Sequence, residues 1–249
     1  MKDLHDYKFN STYELADLID GSARASMGFW NFNERDFINS ATKFSKYTLL
    51  HMYIEAIAFN YHYRDFRKNG TSIDEEYIEK WYTLFDLYSI KINRFKFNGT
   101  AKILTWFEKN NRKFKELFKN MAGEVFYVLF SNRGFLLEFN KLVSETTYDL
   151  IIPKKFLTNK GTIKRQNIPQ WVKIAVFHRD KGRCVFCNTD LSQLINTLTR
   201  SNYDHIVSLD LFGANDPCNI QLSCEHCNKS KANKDGTTST KYIPWWPSQ

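Results

Sequence analysis

The chain has 249 residues, 43% of them apolar and 25% charged, with five prolines and ten glycines. These proportions are globular, and they exclude disorder throughout as well as collagen-like and low-complexity chains. Aromatic side chains reach 16%, enough for a core built on rings. No run approaches the roughly 18–20 apolar residues of a membrane helix. The opening MKDLHDYKFN has acids where a signal peptide would have an apolar stretch. The expectation is a soluble, cytoplasmic protein with no membrane contact.

Residues 1–150 read as mainly helical. Ser11-Thr12-Tyr13-Glu14 is a capping box that opens a short helix through about Asp20. Gly21 to Asn31 reads as a loop. From Glu34 to about Arg67, apolar residues recur at three- and four-residue steps with one longer skip, which predicts one long helix ending at Asn69-Gly70. Within it His51 and Glu55 share a face, and a histidine satisfied among aromatics is preferred there over a metal ligand. Tyr61 to Lys68 interleaves rings and cations; base stacking and a helix end with dipole-favourable cations explain this equally well. Ser72-Ile73-Asp74-Glu75 is a second capping box, opening a helix that ends near Asn98-Gly99. A third helix is expected from about Ala101 to Lys119. Residues 124–145 fit a hairpin or two short helices, and helices are preferred because Glu124, Glu138 and Lys141 suit a helical surface.

Residues 151–168 read as a linker. Pro169 can open a helix, whose Trp171, Ile174, Ala175 and Phe177 follow on one side until Arg179-Asp180-Lys181-Gly182. The tail Pro244-Trp245-Trp246-Pro247 is a candidate cover for an apolar surface.

Charge and cysteine are concentrated in the second part. The net charge is +8; residues 1–150 carry 21 Lys and Arg against 20 Asp and Glu, and residues 151–249 carry 14 against 7. A near-neutral first part and a basic second part suggest two domains, the second facing an anionic partner, with nucleic acid the first candidate. A basic surface kept for solubility is the alternative. All five cysteines lie between 184 and 227, four of them as Cys184-Val185-Phe186-Cys187 and Cys224-Glu225-His226-Cys227. Without a secretion signal, paired C-x-x-C units point to metal, with redox dithiols as the alternative. Two such knuckles supply the four thiolates of a closed tetrahedral zinc site. Cys218 is left over, and a buried small apolar role suits it better than ligation.

Between the knuckles stand Tyr203-Asp204-His205-Ile206-Val207 and the run Gly213 to Leu222, and the second knuckle leads directly into Asn228-Lys229-Ser230-Lys231. Here the sequence resembles the HNH endonucleases of the four-cysteine type. The resemblance rests on Cys184, Cys187, Asp204, His205, Ile206, Gly213, Asn219, Cys224, Cys227, Asn228 and Lys231, and covers roughly residues 165–234. With the helical reading of residues 1–150, the expectation is an α+β chain: a mainly α-helical N-terminal domain (1–150), a linker (151–168) and, as the resemblance implies, a small zinc-stabilised ββα-metal domain (169–249). The resemblance implies metal-dependent hydrolysis of DNA phosphodiesters, with RNA left open. Adjacent residues on a strand point to opposite faces, which fits the division of labour the resemblance implies. His205 acts as base toward the water, and Asp204 with Asn228 holds a catalytic Mg²⁺ or Mn²⁺. Asn219 braces the loop that carries the histidine. The four cysteines hold structural Zn²⁺. Arg179, Arg183, Lys229 and Lys231 are natural nucleic-acid contacts. Two departures stand out: Asn228 occupies the place of the family's last histidine, and Ser208 stands where proline often follows. His226 is a rival metal or phosphate ligand. Restriction and phage defence are the settings such enzymes resemble, with the N-terminal domain supplying recognition, homodimerisation or docking of a regulatory partner. The competing reading is a non-catalytic zinc-containing nucleic-acid-binding regulator.

Overall fold

The computed structural model describes residues 6–29, 32–69, 75–94, 101–192, 201–231 and 236–243. The second capping box apart from Glu75, the Asn98-Gly99 pair and the Pro244 to Pro247 tail lie outside the described residues, and the helix expected to run to Asn98-Gly99 ends at Leu87 instead. The chain forms two compact units, one of residues 1–22, 29–31 and 51–128, the other of 23–28, 32–50 and 129–249. Chain order and spatial grouping therefore differ: residues 32–50 and 129–150, from the helical part, group with 151–249. No described helix is long and apolar enough to cross a membrane.

The first unit is helical. It contains most of α1 (Thr12–Arg24) and α3 (Leu49–Asn69), together with α4 (Glu75–Leu87), α5 (Ala101–Lys109) and most of α6 (Asn111–Leu129). Rings fill its core. Phe114 is fully buried and lies 4.3 Å from Phe107, 4.9 Å from Phe85 and 5.3 Å from Trp81, centroid to centroid. Such tilted and edge-on pairs are each worth about 0.5–1.5 kcal/mol beyond their burial. The third expected helix is two: it breaks at Asn110, whose Nδ2 donates to the Trp106 carbonyl at 2.8 Å. The second of them continues through Val125 to Leu129, where a strand was the alternative. Glu124 is not on a surface. It is buried and accepts from the Lys8 and Phe9 amides and from Thr12 Oγ1, so its charge anchors the N-terminal segment. His51 stacks on Phe126 with centroids 4.2 Å apart, and burial pushes it down to about 4.

The second unit holds α2 (Glu34–Thr42), α7 (Arg133–Asp149), α8 (Gln170–Arg179), the antiparallel pair β1 (Ser201–His205) and β2 (Ile220–Cys224), and α9 (Glu225–Lys231). Two asparagines cap helices here. Asn33 accepts from the Arg35 and Asp36 amides, and Asn132 from the Phe135 amide. The long helix expected over 34–67 is interrupted at residues 43–48. The reason is polar. The freed carbonyls of Ala41 and Thr42 accept from the Asn215 backbone and side-chain nitrogens, and the Leu49 amide donates to Asp216 Oδ2 at 2.9 Å. The gap is thus filled by the loop that precedes β2. Helix α8 buries Val172 and Val176 against Leu191, Ile220 and Leu222. Ile174, expected on the inner side, is 44% exposed, because the helical phase that reaches the sheet is the Val172–Val176 row.

Residues 151–168 carry a 3-10 turn at Lys154–Phe156 and a bridge between Leu157 and Ile163. Asn215 ties this segment to the same loop, donating to the Lys164 carbonyl at 2.9 Å and accepting from the Gln166 amide. Asp216 is fully buried and accepts from both Leu49 and Cys218 amides. Burial pushes its carboxyl from 3.8 up to about 6. The folded state thus holds this proton more tightly than the unfolded chain does. The resulting contribution to stability is present below the unfolded value and is lost as pH rises through about 6. In urea unfolding, wild type is expected to lose more stability between pH 4 and pH 7 than Asp216→Asn does. Asp216→Ala, which orphans two buried N–H groups, is expected to lower stability at both pH values by about 2 kcal/mol or more.

Candidate functional site

The four paired cysteines converge. Their sulfurs all lie within 4.8 Å of one another. A tetrahedral zinc site with Zn–S bonds of about 2.3 Å has S···S edges of about 3.8 Å, and the Cys187–Cys224 pair stands at 3.7 Å. The first knuckle follows α8 through a glycine turn. Gly182 sits at φ +63°, and a Cβ there would meet the Phe177 ring at 2.8 Å. The Val185 amide then donates to the Leu222 carbonyl, joining the knuckle to β2. The second knuckle closes where β2 ends and α9 begins, and the Cys227 amide donates to Cys224 Sγ at 3.4 Å. The donor set and spacing suit structural zinc. Cys218 stands apart: it is buried, with Sγ donating to Thr48 Oγ1, and burial pushes its thiol well above the ordinary value. His226 is exposed.

Strand register fixes the rest. Asp204 pairs across from Gln221 and His205 from Ile220. Gln221 is buried on the Asp204 face, and its Nε2 donates to Asp204 Oδ2 at 3.3 Å and to the Thr237 carbonyl at 3.0 Å. Lys231, at the end of α9, reaches back to Asp204 Oδ2 at 2.6 Å and to the His205 carbonyl. Its side chain is only 4% exposed, so its charge is engaged with Asp204. The Asp204 carboxylate is a hard oxygen donor of the kind Mg²⁺ or Mn²⁺ takes, and its Oδ2 is already engaged by Lys231 and Gln221. Asn228 is half-buried on α9, the helix that packs against both strands.

His205 is 1% exposed. Asn215 lies near the ring, yet neither ring nitrogen makes a hydrogen bond of normal geometry among the described residues. Burial first, then the Arg165 guanidinium, pushes the imidazole down to about 4. It is therefore neutral at neutral pH. A buried imidazole whose nitrogens are this weakly engaged among the described residues is uncommon for a purely structural histidine, because an unmet buried polar group costs about 1–3 kcal/mol.

The loop after His205 is held by Asn219. Its Oδ1 accepts from the Val207 amide at 2.8 Å, and its Nδ2 donates to the Val207 and Ala214 carbonyls, both at 2.9 Å. The Asn219 carbonyl accepts from the Ile206 amide at 2.7 Å. Gly213 closes the loop so tightly that a Cβ would lie 2.2 Å from the Val207 carbonyl oxygen. Behind it, Asn140 of α7 donates to the Cys218 carbonyl.

The expected nucleic-acid contacts divide. Lys229 is exposed and pairs with Glu225, and Arg183 donates to the Asn188 carbonyl near the surface. Arg179 does not lie on the surface. Its side chain is 1% exposed and forks onto Asp180 at 2.9 and 2.8 Å, and it also donates to the Ile220 carbonyl. An arginine whose neighbour in sequence is a buried aspartate is drawn inward by that charge. Gln221, Arg165 and Asp180 were missed by sequence reasoning. A glutamine in an otherwise apolar Ile-Gln-Leu strand was the one available signal.

Residues 184–234 match the HNH endonuclease family model. That span contains both knuckles, β1, β2 and α9, and it does not reach the N-terminal region. Members of the family are in general nucleases, so the match supports a nuclease or nucleic-acid-related function for this segment. No curated protein and no solved structure matches the chain.

Asn219→Ala removes three side-chain hydrogen bonds from a fully buried loop. An expected loss of about 2–4 kcal/mol follows from the unpaired Val207 and Ala214 groups, read as a lower urea midpoint. Asn219→Asp is expected to be no better, because a carboxylate cannot donate to two carbonyls.

Proposed function

We propose that the HNH segment is a metal-dependent endonuclease that hydrolyses DNA phosphodiester bonds. The observation that carries this reading is the placement of His205 next to Asp204 on β1, followed by a loop that Asn219 holds rigid, inside the segment that matches the HNH endonuclease model. His205 takes the proton of the attacking water through one ring nitrogen. The oxygen attacks phosphorus, the P–O3′ bond breaks, the leaving oxygen takes a proton from solvent, and 5′-phosphate and 3′-hydroxyl ends result. Asp204 and Asn228 would hold a divalent ion, which supplies charge neutralisation at the phosphate and the leaving oxygen when bound. Lys231 holds the Asp204 carboxylate in place through Oδ2. Asn219 positions the histidine loop and touches no substrate. The four cysteines hold zinc, which has a structural part only. Arg183 and Lys229 are the proposed contacts to the DNA backbone, supported by their positions at or near the surface. A single ββα unit reaches one strand, so a monomer nicks. A helical unit beside such an enzyme suits restriction or phage defence.

One observation favours a second reading. The 1% exposure of His205 suits a zinc-containing nucleic-acid-binding regulator that does not cut. Plasmid nicking with Mg²⁺ or Mn²⁺ separates the two. Wild type is expected to nick, and His205→Ala to bind DNA while cutting about 10²–10⁴ times more slowly. Wild-type protein that binds DNA and leaves it intact with either ion establishes the regulator instead.

A further inference from the structure

Beside the first knuckle, within the second unit, lies a cleft of about 220 Å³. Five cationic side chains line it, Arg133, Arg179, Lys181, Arg183 and Lys241, against a single carboxylate, Asp180. That carboxylate is shared. Arg179 forks onto it, Arg133 Nη1 stands 3.6 Å from Oδ1, and the Leu222 amide donates to Oδ2 at 2.9 Å. Both guanidinium side chains are buried, at 7% and 1% exposure, so one charge balances two. Arg179 Nη1 is buried and has no hydrogen-bond partner among the described residues. The Phe130 ring, 4.9 Å from the guanidinium, meets part of that charge, and a charge-assisted bond to an anion in the cleft relieves more of it.

The walls are stiff. Arg133 Nε and Nη2 donate to the Ser239 and Lys241 carbonyls, its backbone amide donates to the Tyr242 hydroxyl, and its guanidinium lies 4.2 Å from the Tyr242 ring centroid. The segment carrying Lys241 is thereby clamped to α7. Even with the net −2 of a Zn²⁺ held by four thiolates behind one wall, the cations outnumber the anions.

We propose that this cleft binds a phosphate group, and that its source is the nucleic-acid backbone. The phosphate chemistry follows from the cleft alone; the choice of nucleic acid rests on the nuclease reading. The cleft then forms a second point of attachment, lined by neither Asp204 nor His205.

The test uses the full zinc-loaded chain without added Mg²⁺ or Mn²⁺. Arg179 variants risk the fold, so the rim variants Lys181→Glu and Lys241→Glu are compared with wild type after matched thermal melts. One arm measures fluorescence anisotropy on a short DNA duplex across a salt series. The other measures pyrophosphate binding by titration calorimetry. Several-fold weaker DNA binding is expected in each variant, with the log–log salt slope smaller by about one. Weakening in the pyrophosphate arm alone upholds the phosphate site and overturns the nucleic-acid source. Unchanged binding in both arms overturns the proposal. Because neither arm requires cutting, the cleft is tested even in a protein that never nicks DNA.

Discussion

Four sulfurs drawn within 4.8 Å of one another are the constraint from which the second unit takes its shape. Two come from the turn after α8 and two from the junction of β2 and α9. A two-stranded ribbon alone is marginal in water. Here it is clasped at the Cys224 end, backed by Val172 and Val176, and wedged by Asp180, whose carboxylate accepts from the Leu222 amide. Once β2 is held, register decides chemistry. A slip of one residue would turn Asp204 to the apolar face and His205 away from it.

The loop between the strands depends on residues distant in sequence. Asn219 ties Val207 to Ala214 from within. From outside, Ala41, Thr42 and Leu49 exchange hydrogen bonds with Asn215 and Asp216, and Asn140 reaches the Cys218 carbonyl. Buried backbone groups need partners, and this loop finds them in the break between α2 and α3 and on α7. The segment that matches the HNH family is therefore hydrogen-bonded to Ala41 and Thr42 at the end of α2, to Leu49 and to Asn140 of α7, all of which precede it in the chain. The positive φ of Phe212, at 60°, and the close approach at Gly213 mark how tightly that loop is drawn.

Much of this was legible in the residues. Knuckle spacing depends only on how two thiolates reach one ion, a local property, and the four cysteines meet. The aromatic stripes of residues 50–118 became a core because ring burial outweighs other local preferences. What was not legible was long-range polar pairing. Periodicity carried a helix straight through residues 43–48, because nothing local reveals that Asp216 accepts from the Leu49 amide. Glu124 and Arg179 looked like surface charges because charge type alone says nothing about a partner over 100 residues away, as with Lys8 and Thr12, or about a neighbour that is itself buried, as with Asp180. Ile174 looked inward-facing because a ten-residue helix with apolar residues on several sides has no single readable face.

The most direct measurement counts zinc in the purified full chain by atomic emission and follows unfolding as a chelator removes it. One zinc per chain is expected, lost together with the folded second unit and accompanied by exposure of the four ligand thiols, and of Cys218 with them, to a thiol reagent. A metal-free chain that melts at the same temperature, with those four thiols already reactive, would contradict the account.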